Sequence, residues 1–176
     1  GGWQPWYASN FNNPLLFAPD PDPTPPPSWT YNPTNKSKQI VVGTSKFWAT
    51  DSANTTGTYA QFERSALYSP SFDLTALKAP MIAFDAVVNT QLSDGVIVEY
   101  SQDNKNIADP SKEWIALGTR IGEGVDWFTD KGIAAKPGHQ IGNDFGWSGT
   151  SPLKNGSHWI QPKHTIDTIQ TTGSRD

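Results

Sequence analysis

The sequence predicts an all-β fold in which two antiparallel sheets stack as a sandwich, and three observations predict it. From 69 to 114 the segments S-P-S-F-D-L, P-M-I-A-F-D, S-D-G-V-I-V-E-Y-S-Q-D and E-W-I-A-L-G follow one another, each a short apolar run closed by a turn signal. Val96, Val98 and Tyr100 alternate with Ile97 and Glu99 behind the turn dipeptide Asp94-Gly95, the period of two of a strand with one buried face. Hydrophobic content is only 35%, yet 12% of residues are aromatic and eight are tryptophan, so a few large rings must supply much of the buried area. At 176 residues the chain has the length of one domain.

Residues 1–17 hold Trp3, Trp6, Tyr7, Phe11, Leu15, Leu16 and Phe17, too apolar for a free tail, and are read as a first strand plus a segment lying on the sandwich. The tract 18–27, A-P-D-P-D-P-T-P-P-P, is read as an extended strap, because successive prolines fix φ and remove ladder donors. It is either a stiff surface loop or a ligand for a proline-recognising groove. Strands follow at 38–42, 47–50, 66–69, 81–89, 95–101, 114–118 and 159–167, with loops rich in Gly, Asn, Ser and Thr between them. The stretch 118–157 is long for a connection. Trp127, Phe128, Phe145 and Trp147 within it predict that it is ordered.

Net charge is −4, and the basic residues are scattered singly, which argues against a nucleic-acid partner. No apolar run approaches the ~20 residues that cross a bilayer as a helix. The absence of cysteine removes disulfides and thiolate metal sites. The sequence contains no H-E-x-x-H, G-x-S-x-G, G-x-x-x-x-G-K-[ST] or G-x-G-x-x-G, the templates that organise zinc, nucleophilic and phosphate chemistry. His139, His158 and His164 are separated by turn residues and prolines and read as surface or hydrogen-bonded side chains. No carboxylate pair stands out for glycoside hydrolysis. The chain is therefore read as a non-enzyme.

Tryptophans divide into two groups. Trp48, Trp114 and Trp159 lie in strand runs and are expected in the core. Trp127 and Trp147, with Phe128, lie in the long connection. They are the candidate ligand-binding residues, with flat rings that stack on a sugar or a partner side chain, unless they pin the connection to its own domain. Sequons at Asn35, Asn54 and Asn155 mark polar loops.

G-G-W at 1–3, S-W at 28–29, F-W-A-T at 47–50, G-T-Y at 57–59, S-P-S-F-D-L at 69–74, the D-G and E-Y-S-x-D pieces, D-W-F at 126–128, G-W-S-G at 146–149 and His158-Trp159 together resemble the MAM-like jelly-roll domains of large secreted Bacteroidota surface proteins, including adhesins of gliding bacteria. The resemblance spans nearly the whole chain. It departs at Ser71, where the family often has cysteine, at the inserted Pro-rich tract, and at Asp176, before an expected terminal strand. The piece thus reads as a fragment whose open edge is filled by residues outside this numbering or by a partner's strand, or is locally disordered.

The resemblance implies secretion by the type IX system and display at the cell surface. It also implies that Tyr100 to Asp103, followed by Trp114, forms a structural hairpin of the kind called an Asp-box, with 104–112 at its tip. Jelly-roll domains often hold a structural Ca²⁺, and Asp85, Asp94, Glu99 and Asp103 are the candidate ligands. Asp94 is otherwise a turn residue, and Asp85 and Glu99 solvent-facing strand positions. The triplets at Ser52 (Asp51-Ser52-Ala53) and Thr168 (Asp167-Thr168-Ile169) match the family's O-glycosylation pattern. The expected function is a non-catalytic adhesion or ligand-binding module for a glycan or cell-surface protein. The alternatives are an accessory carbohydrate-binding domain of a secreted hydrolase or peptidase, and a structural spacer in a surface filament.

Overall fold

The structure is a computed structural model that describes residues 18–19, 29–31, 47–50, 59, 61–74, 76–101, 114–118, 123–139 and 142–166. The expected strand at 38–42, the segment 1–17, the strap from 20 to 27, the hairpin tip at 104–112, and Ser52, Asp103 and Thr168 lie outside the described residues. The chain divides into two compact units, 1–71 and 72–176, which are described in turn.

Among the described residues every regular element is a strand, in agreement with the all-β expectation. The first unit contains β1 (Ala18–Pro19), β2 (Trp29–Tyr31), β3 (Trp48–Thr50) and β4 (Leu67–Tyr68). β2 pairs antiparallel with β3, placing Trp29 opposite Thr50 and Tyr31 opposite Trp48. β1 pairs antiparallel with β4, with Pro19 opposite Leu67. Ala18 and Pro19 were assigned to the proline strap. They form a ladder instead, because a proline at the end of a two-residue strand forfeits only its own N–H.

The second unit contains β5 (Met81–Ala83), β6 (Glu99–Tyr100), β7 (Ile115–Ala116), β8 (Asp130–Lys131), β9 (Phe145–Gly146) and β10 (Lys163–Thr165). The pairs β5–β10, β6–β7 and β8–β9 are all antiparallel. Isolated bridges extend them: Ala86 meets Ile160, Asn89 meets Thr150, Val96 meets Trp147 and Val125 meets Lys163. The predicted strands at 81–89 and 95–101 are therefore interrupted runs. Met81–Ala83 and Glu99–Tyr100 carry the continuous ladders, and Ala86, Asn89 and Val96 pair through single bridges. The turn before β6 is closed by Asp94 N–H to the Gln91 carbonyl at 3.0 Å, so Leu92 and Ser93 occupy its centre and Gly95 follows it.

The stretch 118–157 is no simple loop. β8 and β9 fold it into a hairpin, Ile133 N–H donates to the Asp144 carbonyl at 2.8 Å, and Asn143 Nδ2 donates to the carbonyls of Pro137 and Phe145 at 2.9 and 3.0 Å. Its aromatic residues make the core. Trp127 and Phe128 are each 1% exposed and Trp147 is 3% exposed, and they cluster with Val88, Leu117 and Ile160. Trp127 meets Trp147 edge to face at 5.1 Å between ring centroids, and Phe84 approaches both indoles at 6.0 Å. Both indoles of this cluster satisfy their N–H: Trp127 Nε1 donates to the Leu117 carbonyl at 2.9 Å and Trp147 Nε1 to the Asp126 carbonyl at 2.8 Å. Those partners let tryptophan be buried without stranding a donor. Conversely, Trp48, Trp114 and Trp159, expected in the core, are only half-buried.

Asp126 and Phe128, flanking Trp127, have positive φ values of 49° and 35°, a conformation that side chains other than glycine rarely adopt. Packing and polar contacts hold them there. Asp126 accepts from Lys154 Nζ at 2.5 Å, and Gln161 N–H lies 3.5 Å from its other oxygen. The Lys154 hydrogen bond, against the opposing effect of burial, holds the Asp126 carboxyl below its ordinary value. Because the folded value is the lower one, this interaction stabilises the fold above the unfolded carboxylate's titration, and the benefit is lost as pH falls through the folded value. The lysine is half-exposed, so the size is small, under about 1 kcal/mol. Asp126→Asn should lower the melting temperature slightly at neutral pH, and melts at successive pH values should show the gap to wild type closing below about pH 4.

Candidate functional site

A second polar and aromatic cluster lies where β6 and β7 pair. In their register Glu99 stands opposite Ala116 and Tyr100 opposite Ile115, which puts Trp114 one residue before β7. A strand carrying Val96 and Val98 on one side was expected to turn Glu99 toward solvent. The Glu99 side chain is only 8% exposed, because the segment ending at His139 covers that side of β6.

Gly138 makes the approach possible. Its φ is +91°, a conformation that other residues rarely adopt, and a Cβ there would lie 2.5 Å from Glu99 Oε1, so a larger residue would be strained and would push the carboxylate from its place. The following residue then grips the carboxylate twice. His139 N–H donates to Glu99 Oε1 at 2.7 Å and its Nδ1 meets Oε2 at 2.6 Å. An ionised carboxylate only accepts, so the Nδ1 proton is fixed by the partner, and Nε2 is the ring's remaining position for hydrogen bonding or ligation. Two charge-assisted bonds offset the cost of burying the carboxylate. The imidazole also stacks on Trp114, with centroids 5.4 Å apart and planes inclined by 25°, while the His139 side chain stays 39% exposed.

The result is an oriented, partly exposed imidazole backed by an indole and a buried carboxylate. Such a surface offers a flat ring edge, a polar nitrogen in a fixed direction and little conformational freedom to lose on binding. Nothing in the local sequence announced it. Glu99 and His139 are forty positions apart, and P-G-H reads only as a turn.

The other expected residues are placed differently. Trp127, Phe128 and Trp147 do not present exposed ring faces. Their faces are covered by one another, by Phe84 and, for Phe128, by Phe145, so the expectation that they form an open stacking platform is corrected to a core role. Asp85 is exposed and accepts from Gln161 Nε2 at 3.1 Å. Asp94 accepts from Ser93 Oγ at 3.1 Å, and Glu99 is engaged by His139. Among the described residues no three metal-ligating side chains are gathered together. His158 Nδ1 lies 2.6 Å from the Ser151 carbonyl, a hydrogen-bonded histidine as expected. Comparisons with protein-family models, curated proteins and solved structures gave no match.

Proposed function

We propose that the chain is a non-catalytic ligand-binding or adhesion module of a secreted bacterial surface protein, and that it binds through the Trp114–His139–Glu99 surface. The observation that carries this reading is the locked imidazole. A half-exposed histidine stacked on tryptophan and held by a buried carboxylate gives a rigid polar and aromatic contact surface, whereas Trp127, Phe128 and Trp147 are spent on the core of the unit. In this reading 72–176 is the larger part of a jelly-roll sandwich, and Ser52 and Thr168 are O-glycan acceptors of an exported chain. Several copies or neighbouring modules would raise avidity without tightening any single contact.

The test is binding to immobilised glycans and to extracted cell-surface proteins. His139→Ala and Trp114→Ala should each weaken binding about 10-fold or more, with far-UV circular dichroism unchanged. Binding that survives both substitutions defeats the reading. The stacked pair also favours a second possibility, an accessory carbohydrate-binding domain of a secreted hydrolase or peptidase, since flat aromatic surfaces take the apolar faces of sugar rings. Binding to polysaccharide but to no protein would select it.

A further inference from the structure

The segment that carries His139 to Glu99 leaves the β8–β9 hairpin at Ile133. Ala135 N–H donates to the Ser93 carbonyl at 2.9 Å and Lys136 N–H to the Ile133 carbonyl at 3.2 Å. Pro137 follows and is buried. Proline has no N–H, so its carbonyl is the one backbone group it can bring to a hydrogen bond. That carbonyl accepts from Asn143 Nδ2 at 2.9 Å.

Asn143 is 6% exposed, and its Nδ2 also donates to the Phe145 carbonyl, in β9, at 3.0 Å. These contacts fix which way the amide points: turned round, Oδ1 would face two carbonyl oxygens, acceptor against acceptor. Oδ1 itself is buried with no hydrogen-bond partner among the described residues. An acceptor buried in that state costs the fold free energy, so what Asn143 contributes lies in the two carbonyls it joins.

The Pro137 carbonyl and the Gly138 nitrogen belong to one planar peptide unit. Holding the carbonyl therefore sets the plane from which Gly138, at φ +91°, turns the chain toward Glu99. His139 N–H then reaches Glu99 Oε1 at 2.7 Å, and Nδ1 reaches Oε2 at 2.6 Å. We propose that Asn143 is the positioning residue for His139: its two N–H groups tie the Pro137–Gly138 peptide to β9 and so hold the imidazole in the orientation that engages Glu99 and Trp114. This deepens, and rests on, the reading of the Trp114–His139–Glu99 surface as the binding site. A ring set in advance has less freedom to lose when a ligand arrives, so Asn143 governs affinity through the histidine.

Amide exchange and ¹H–¹⁵N spectra of the full chain test this with no ligand added. Asn143→Asp keeps the size of the side chain and removes both donors. It should speed exchange of the His139 amide about tenfold or more, abolish the His139 Nδ1–H signal and shift the Trp114 indole. Ser151→Ala is the control. Ser151 is 5% exposed and its hydroxyl likewise serves two backbone groups, Val88 N–H at 2.7 Å and the Val88 carbonyl at 3.1 Å, so its loss removes comparable buried bonding from the same unit but should leave the His139 signals in place. Should Asn143→Asp fail to fold, the wild-type protein gives a second readout: on warming, the Asn143 side-chain amide protons and the His139 amide should exchange at a common rate. The proposal is overturned by His139 signals that are unchanged in Asn143→Asp, that are disturbed equally in Ser151→Ala, or that are lost in wild type while the Asn143 amide stays protected. Binding that survives His139→Ala defeats the binding reading alone and leaves the dependence of these signals on Asn143 standing.

Discussion

Trp127→Ala should remove about 3–5 kcal/mol of stability, a large part of the total available to a domain of this size. The indole is 1% exposed and is contacted by Phe84, Phe128, Trp147 and His164, so its loss leaves a cavity that rings fixed by their own packing cannot close. It also strands the Leu117 carbonyl, which accepts the indole N–H at 2.9 Å. Urea titration followed by far-UV circular dichroism checks the size of the effect. A residue serving an exposed platform would instead leave the midpoint unchanged while abolishing binding.

Gly124→Ala should be the most damaging substitution of comparable smallness. A Cβ at 124 would lie 2.1 Å from the Lys163 carbonyl oxygen and 3.1 Å from Trp127 Cβ, and the obstacle is backbone, which cannot swing aside as a side chain can. Relief requires parting Val125 from Lys163, which exchange hydrogen bonds of 3.0 and 2.9 Å. The expected loss is about 1–3 kcal/mol or more, with amide exchange at Val125 and Lys163 accelerated first. Gly132→Ala is the comparison, since nothing lies within 4 Å of its Cβ position. It should cost only the ~1 kcal/mol of placing a side chain at positive φ.

Strand positions were legible because period-two patterning is local. The hairpin of β6 and β7, the pairing near 81–83 and the strand near 163–165 all fall inside predicted runs. The packing of the described part of 118–157 was legible from its aromatic content, but its hairpin was not, since Asp130–Lys131 and Phe145–Gly146 are too short to set up a pattern. Tryptophan placement was inverted for the same reason. Strand membership was taken to mean burial, yet Trp114 sits at the edge of a two-residue ladder, while Trp127 and Trp147 are drawn inward by carbonyls available only in the folded chain. The candidate site was hidden because Glu99 and His139 meet through tertiary pairing, and a glutamate on an alternating strand reads as solvent-facing until something covers it.

The division of labour among the tryptophans is tested most directly by ¹H–¹⁵N spectra of the indole resonances during titration with a glycan or surface protein found to bind. Saturable shifts are expected at the Trp114 indole and the His139 amide, with the Trp127 and Trp147 indoles unmoved. Shifts centred on Trp127 and Trp147, with Trp114 silent, would contradict it.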